Sequence, residues 1–255
     1  MNFQQALEIY KQKVIFDKSF TKDQFRLETH VESLKDWSEI MNISEVKKLF
    51  RQKQKECEMS IKTIPLNNLN QWTVSKKTGN IRHKTGNFFS ILGLNISGSK
   101  SREIGNIGWE QPILREKNSN GGILGIIRKR MNGIPYYLID FKAEPGNPDL
   151  IQISPCLQAT HSNIKQSHGG RKPYYSEFFL DPKKEGFSIL FDQLMSEDGG
   201  RFYKKRNRGM IIQCDDDKKI DLKTNYYWLS LFQIKFLIKN NSWVNPHVRS
   251  IISHL

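Results

Sequence analysis

The dipeptide Asn132-Gly133, set between GILGIIRKRM and IPYYLIDF, constrains this chain more than any other feature. Both flanks are rich in β-branched and aromatic residues, and Asn-Gly readily supplies the two left-handed residues of a tight hairpin turn. An antiparallel hairpin is therefore expected at the centre of the fold. NFFSILGLNIS alternates apolar and polar residues and predicts a further strand, as do PDLIQISPCLQAT and RGMIIQC. FSILFDQLMS reads as a buried apolar run. WLSLFQIKFLIKNN predicts an amphipathic helix with Leu229, Phe232, Phe236 and Leu237 inward, and VNPHVRSIISHL a short apolar close.

Residues 1–60 read differently. Val46, Leu49, Phe50 and Cys57 fall near helical spacing behind Ser44, a suitable N-cap, and the opposite face is Lys/Gln-rich. Pro65 and LNNLNQ mark a junction. The division expected is a helical arm over 1–60, for packing or dimerisation, and a main module over 61–255. The fold class is α+β, a mixed sheet with helices.

The formal net charge is +14, and the excess lies in residues 61–255, since residues 1–60 are nearly balanced. Such a field attracts nucleic acid, anionic membrane or small phosphorylated molecules. No RRM, KH or helix-turn-helix signature supports the first, and no apolar run of membrane-spanning length supports the second. Cys57, Cys156 and Cys214 stand far apart with no CxxC pair, which points to a reducing cytoplasm rather than a disulfide framework. GxGxxG, GxxxxGK[ST], HExxH and a Glu-Glu dipeptide are all absent, so nicotinamide, ATP and metal chemistry are not expected, and no cofactor is predicted.

Seven strings then occur in order: IRHKTGNFFSILGL (81–94), WEQPIL (109–114), KAEPGN (142–147), QISPCLQATHSN (152–163), SHGGRKPYYSEFF (167–179), SEDGGRFYKKRNRGM (196–210) and WVNPHVRS (243–250). Together they resemble the NDP-hexose 2,3-dehydratase family of deoxysugar biosynthesis. The resemblance implies a Nudix-like mixed sheet sandwiched by helices, without Nudix hydrolase chemistry. Members are commonly two such modules in tandem; one module here implies a homodimer. The substrate implied is an NDP-4-keto-6-deoxyhexose, with dTDP the expected nucleotide. The chain departs from the family pattern at Asp198, Gly209, Pro246-His247 and Cys156-Leu157.

That reaction dictates which side chains matter. In a 4-keto sugar the C3 proton is α to the carbonyl and the C2 hydroxyl is β to it. Elimination needs a base for H3, donors for the charge growing on O4, and an acid for the departing oxygen. Glu144, His168, Tyr175 and Glu197 are the candidates for base and acid, with the assignment among them open. Each has a structural alternative, such as an ion pair with Arg201 for Glu197. Arg201, Arg206, Asn207 and Arg208 suit a diphosphate, although such a run is also a common solvated face. Arg171 and the glycines beside His168 suggest a loop approaching a ligand. Lys142 and Asn147 flank Glu144 at a strand end expected at Pro145-Gly146. Gln158, Thr160, Ser162 and Asn163 suit sugar hydroxyls or ordinary turns. His83 can face a phosphate; Trp72 can stack on a base or belong to the core, and Trp228 is expected in the core. A nucleic-acid-binding module, an inert nucleotide-sugar-binding module and a Nudix pyrophosphatase are the competing functions.

Overall fold

The computed structural model describes residues 1–14, 24–97, 108–116, 121–164, 166, 171–196 and 201–255. The predicted hairpin forms its centre. Strand β5 (Ile123–Met131) turns through Asn132 and Gly133, at φ 54° and 77°, into β6 (Ile134–Ala143). Two consecutive positive φ values are what an Asn-Gly turn tolerates at least cost.

The main sheet runs β11 (Tyr226–Leu229), β6, β5, β10 (Arg206–Cys214), β9 (Phe187–Ser196). β10 lies parallel to β5, and the other neighbours are antiparallel, which makes the sheet mixed. Alternation along the central strands sends successive apolar residues to opposite faces. Ile127, Leu138, Met210 and Ile212 join one buried cluster, with Phe179 of the short helix α5 (Ser176–Leu180) and residues of α1 (Phe3–Val14) and α2 (Gln24–Leu34). Ile126, Tyr137, Ile139 and Ile211 join the other, with α3 (Ile43–Lys55), α6 (Leu231–Leu237) and α7 (Pro246–Ile252). The expected sandwich of a mixed sheet between helices is thus present. Residues 1–60 contribute three of its helices, and Phe3, Leu7, Val31, Val46 and Phe50 are all buried in these two clusters.

A smaller antiparallel sheet orders β1 (Trp72–Val74), β2 (Ile81–His83), β3 (Ser90–Ile96) and β4 (Trp109–Arg115) in sequence. The segment after residue 200 ties it to the main body: Leu114 donates its N–H to Arg201 O and accepts from Tyr203 N–H.

Several local expectations are corrected. The N-cap of α3 is Asn42, whose side chain accepts from Ser44 and Glu45 N–H while Glu45 bonds back to Asn42 N–H, a complete capping box. FSILFDQLMS is an edge strand, with Ile189 and Leu194 exposed, because among the described residues β9 has a sheet neighbour on one side only. Trp228 and Leu229 are buried as expected but belong to β11, and the helix begins after the Ser230 cap. Its inward residues are Leu231, Ile234 and Leu237, while Phe232 and Phe236 stack on each other, half-exposed. Trp72 is half-exposed among His83 of β2 and Phe88 and Phe89 of the connection before β3, outside both buried clusters.

Candidate active site

The hairpin strands do not stay together. β6 pairs with β5 only up to Leu138, and from Ile139 onward it pairs instead with β7 (Ile151–Pro155). β5 correspondingly exchanges β6 for β8 (Leu157–Ala159) over Ile123–Gly125. The sheet therefore forks, with β7 and β8 filling the gap and Cys156 at its apex, its buried thiol donating to Gly125 O at 3.2 Å. Burial holds that thiol well above its ordinary pKa, which leaves it protonated.

One wall of the fork carries a polar chain drawn from β6, β7 (through Ser154), β8 (through Gln158) and the cap of α7. β6 ends at Ala143, two residues before the expected Pro145-Gly146 stop. Lys142 Nζ lies 3.2 Å from Glu144 Oε1, and Gln158 Nε2 donates to both Glu144 oxygens at 3.1 and 3.3 Å. Asn245 Nδ2 donates to Ser154 Oγ at 2.8 Å and reaches Gln158 Oε1 at 3.4 Å, and its Oδ1 caps α7 at Val248 N–H. Lys142 and Glu144 are both partly exposed, so their ion pair adds little stability and leaves both heads accessible to a ligand.

Asn245→Ala is expected to lower stability by about 1 kcal/mol through the lost cap. Asn245→Asp keeps the acceptor for Val248 and should recover most of that loss while the contact with Gln158 is still missing. Thermal melts of the two variants separate these parts; equal losses in both would mean that the cap is not the source.

The other wall is aromatic. Asp140 pairs in register with Tyr226, whose neighbouring hydroxyl favours the ionised form of its carboxylate. Tyr226 meets Tyr175 edge-on at 5.1 Å. Burial raises the Asp140 pKa to about 7, against the opposing pull of Lys142 and the Tyr226 hydroxyl. Tyr175 holds φ 62° just before α5 and is 4% exposed. Its hydroxyl donates to Asp221 O at 3.0 Å and accepts Lys223 N–H at 3.1 Å, and burial pushes its pKa up to about 12. The phenolic proton is thus spent on a backbone carbonyl.

The remaining expected residues are dispersed. Asn147 braces its own turn, with Nδ2 on Leu150 O and Lys142 O. Thr160 Oγ1 contacts Ser162 Oγ and accepts Asn163 N–H at the start of the short helix α4 (His161–Ile164), the turn arrangement that competes with sugar binding. Asn207 is buried and accepts Gly122 N–H, tying β10 to β5. Arg208 forms a two-pronged pair with Asp192 of β9. Arg171, Arg201 and Arg206 are exposed. His83 Nδ1 is 2.8 Å from Thr85 Oγ1 in the small sheet. His168 and Glu197 lie outside the described residues. Cavities of about 450 and 280 Å³ lie elsewhere, beside α1 and α2, and none of the expected site residues lines them.

Asp140, Tyr226 and Asn245 were not anticipated as site residues. A signal for the first was available: Tyr136, Leu138 and Asp140 share one face of β6, and an acid is the odd member of that row.

The model of the NDP-hexose 2,3-dehydratase family matches residues 43–255. The chain belongs to that family. Relatives called dTDP-4-dehydro-6-deoxy-alpha-D-glucopyranose 2,3-dehydratase are 37% identical in Amycolatopsis orientalis, over 76% of this chain and 41% of the relative. The Saccharopolyspora spinosa protein of the same name is 35% identical over 74% of this chain and 37% of its own length. This dehydratase-family chain thus spans about two-fifths of the curated relatives it matches. Solved structures overlying part of it include an ADP compounds hydrolase (TM-score 0.38, 10% identity, 77% of this chain and 94% of that one). A Nudix hydrolase from M. smegmatis does so with TM-score 0.32 and 10% identity, over 64% of this chain and 97% of that one.

Proposed function

We propose that this chain catalyses a nucleotide-sugar 2,3-dehydration, removing the C2 hydroxyl and C3 proton of an NDP-4-keto-6-deoxyhexose, with dTDP as the nucleotide. The observation that carries the reading is the family match over 43–255, which covers every strand of the fork. Loss of H3 gives an enolate on O4. Its collapse expels the C2 oxygen, which leaves as water after protonation. The product is a C2–C3 enol that becomes the 3,4-diketo sugar when C2 takes a proton. No hydride moves, so the protein's task is proton transfer and charge stabilisation.

In this reading Glu144, steadied by Lys142 and Gln158, meets the sugar hydroxyls from the polar wall. Arg206, exposed at the start of β10, grips the diphosphate. Arg208, already committed to Asp192, holds β9 against β10, and Tyr175 braces the aromatic wall. Two copies form the working unit: Val74 of β1 and Phe88 and Phe89 of the connection before β3 are exposed, an apolar surface a second chain would cover. The cysteines among the described residues are unpaired, which suits a reducing cytoplasm.

The test is incubation of the purified chain with dTDP-4-keto-6-deoxyglucose in deuterated water. Mass spectrometry should show loss of one water and entry of solvent deuterium at C2. Substrate recovered unchanged, or nucleotide released by pyrophosphate cleavage, would end the proposal. Arg206→Ala should raise KM by about tenfold with kcat little changed, as loss of a charge-assisted phosphate contact predicts. A KM equal to the parent's would remove Arg206 from the site.

A further inference from the structure

None of the seven sequence strings contains Asp140 or Tyr226, yet the fold places both at the branch of the sheet. Asp140 stands two residues past the last pairing of β6 with β5 in the register Ile127↔Leu138. It faces Ser154 of β7 on one side and Tyr226 of β11 on the other. Preceding residues on the same face of the strand, Leu138 and Tyr136, are buried apolar packing. A residue needed only for packing would continue that row, because a half-buried carboxylate bears a desolvation cost. Among the described residues the Tyr226 hydroxyl, its register partner across β11, is the neighbouring donor that favours its charge, and a carboxylate has about four acceptor positions. Acceptor capacity therefore remains for a ligand. Lys142, on the same strand, and Glu144, just past its end, begin the polar wall, so one ligand could touch both walls.

We infer that Asp140 is the general base that takes the C3 proton, with the Tyr226 hydroxyl as the positioning residue that orients its carboxylate. The assignment rests on the dehydratase reading above. In the step, a carboxylate oxygen of Asp140 forms a bond to H3, and the C3–H electron pair becomes the C3–C4 double bond of the enolate. That enolate re-forms the C4 carbonyl as the C2–O bond breaks, and the departing oxygen collects a proton to leave as water. The proton held by Asp140 is returned to solvent, so the residue is regenerated without oxidant, reductant or further reactant.

Among the described residues the ionisable groups around Asp140 are Lys142 on its own strand and Glu144 just beyond it, Tyr226 and Tyr227 on β11, Tyr175 before α5, and Cys156 between β7 and β8. The three tyrosines and the thiol are all shifted upward from their ordinary values by burial, so they stay neutral near neutral pH. Asp140, with its pKa near 7, is the group that changes charge there. A base must be ionised to act, so turnover should climb with pH through about 7 and level above it. Tyr226 stabilises the charged carboxylate; removing its hydroxyl raises the Asp140 pKa further and moves that limb to higher pH.

The experiment compares the parent chain, Asp140→Asn and Tyr226→Phe on dTDP-4-keto-6-deoxyglucose across pH, with dTDP affinity measured by calorimetry. Asp140→Asn should lose roughly 10²- to 10⁴-fold in kcat while binding dTDP as the parent does. Tyr226→Phe should keep turnover at high pH with its acidic limb displaced upward. Asp140→Asn turning over within a few-fold of the parent overturns the assignment and leaves the dehydratase reading standing. A parent chain that turns over no substrate ends both. If Asp140→Asn does not fold, the Tyr226→Phe limb decides: an unmoved limb overturns the assignment.

Discussion

Arg128→Leu is expected to cost about 3–5 kcal/mol of stability near pH 8, the loss seen when one member of a buried ion pair is removed. Arg128 is 1% exposed, and its Nη2 lies 2.8 Å from both Glu32 Oε1 and Glu28 Oε2. Its Nη1 donates to Gln213, the Tyr137 hydroxyl donates to Glu32 at 2.8 Å, and Arg130 grips Glu28 from the other side. Deleting the guanidinium leaves Glu32 buried beside a second carboxylate. Desolvation already raises the Glu32 pKa above 4.5, even against the attraction of Arg128. The sign of the pH dependence follows. A raised carboxylate pKa means that the folded chain binds this proton more tightly than the unfolded chain, so stability falls as pH rises from about 4.5 through the folded value. Without Arg128 that window widens upward, and the deficit should be smaller near pH 4.5 than at pH 8. Urea denaturation at the two pH values measures it. Arg128→Leu combined with Glu32→Leu should recover much of the loss. A single variant as stable as the parent at pH 8 would show that the network is not holding α2 to the sheet.

Gly121→Ala should be comparably damaging for a different reason. Gly121 has φ +66°, and a Cβ there would overlap the carbonyl of Arg206 and come within 2.7 Å of Asn207 Oδ1. A Cβ on Gly122, the next residue, would collide with the Ala159 carbonyl and lie 2.9 Å from Thr160 Cα. The Gly-Gly step is therefore where β10 and β8 both close onto the start of β5, with Gly122 N–H donating to Asn207 Oδ1 at 3.0 Å. The Arg206, Ala159 and Thr160 obstacles are backbone atoms and cannot swing away. A loss of about 3 kcal/mol is expected from overpacking and left-handed strain together, or a fall in Tm of about 10 °C for a chain of this size. Gly146→Ala, where a Cβ meets nothing within 4 Å, serves as the control. Equal melting of the two variants would refute the account. Because Arg206 adjoins Asn207, the Gly121 variant should also bind dTDP more weakly.

Much of the scaffold is readable from local chemistry. Asn132-Gly133 specifies its hairpin because both φ values are positive, and the apolar runs either side are long enough to be buried on both faces. What misleads is position within the sheet. FSILFDQLMS is as apolar as a central strand, but nothing in its composition says that it pairs on one edge only. Phe191 there stacks on His254 and packs against the margin of the buried cluster that includes α7. Trp228-Leu229 reads as the start of a helix because helix and strand patterns overlap over so few residues, and pairing with β6 decides the matter.

The site is legible in part. Lys142, Glu144 and Gln158 converge because the end of β6 and β8 are separated only by a turn and β7, with Glu144 and Gln158 14 residues apart. Asn245 enters from about 90 residues further on, a proximity no local pattern carries. Asn207 and Thr160 carry polar side chains suited to a ligand, yet both use them to close the backbone. Residue type alone does not separate these uses, because the same oxygen satisfies either partner.

The parallel alignment of β10 with β5 has a kinetic consequence. Gly122 and Asn207 are 85 residues apart, so the middle of the main sheet can close only after a long excursion of chain has been drawn in. Contacts that remote slow folding relative to hairpins. The β5–β6 hairpin should therefore form early and wait with one side of β5 bare, a hydrophobic edge open to the wrong strand until residues 206–214 arrive. Refolding yield should then fall as protein concentration rises.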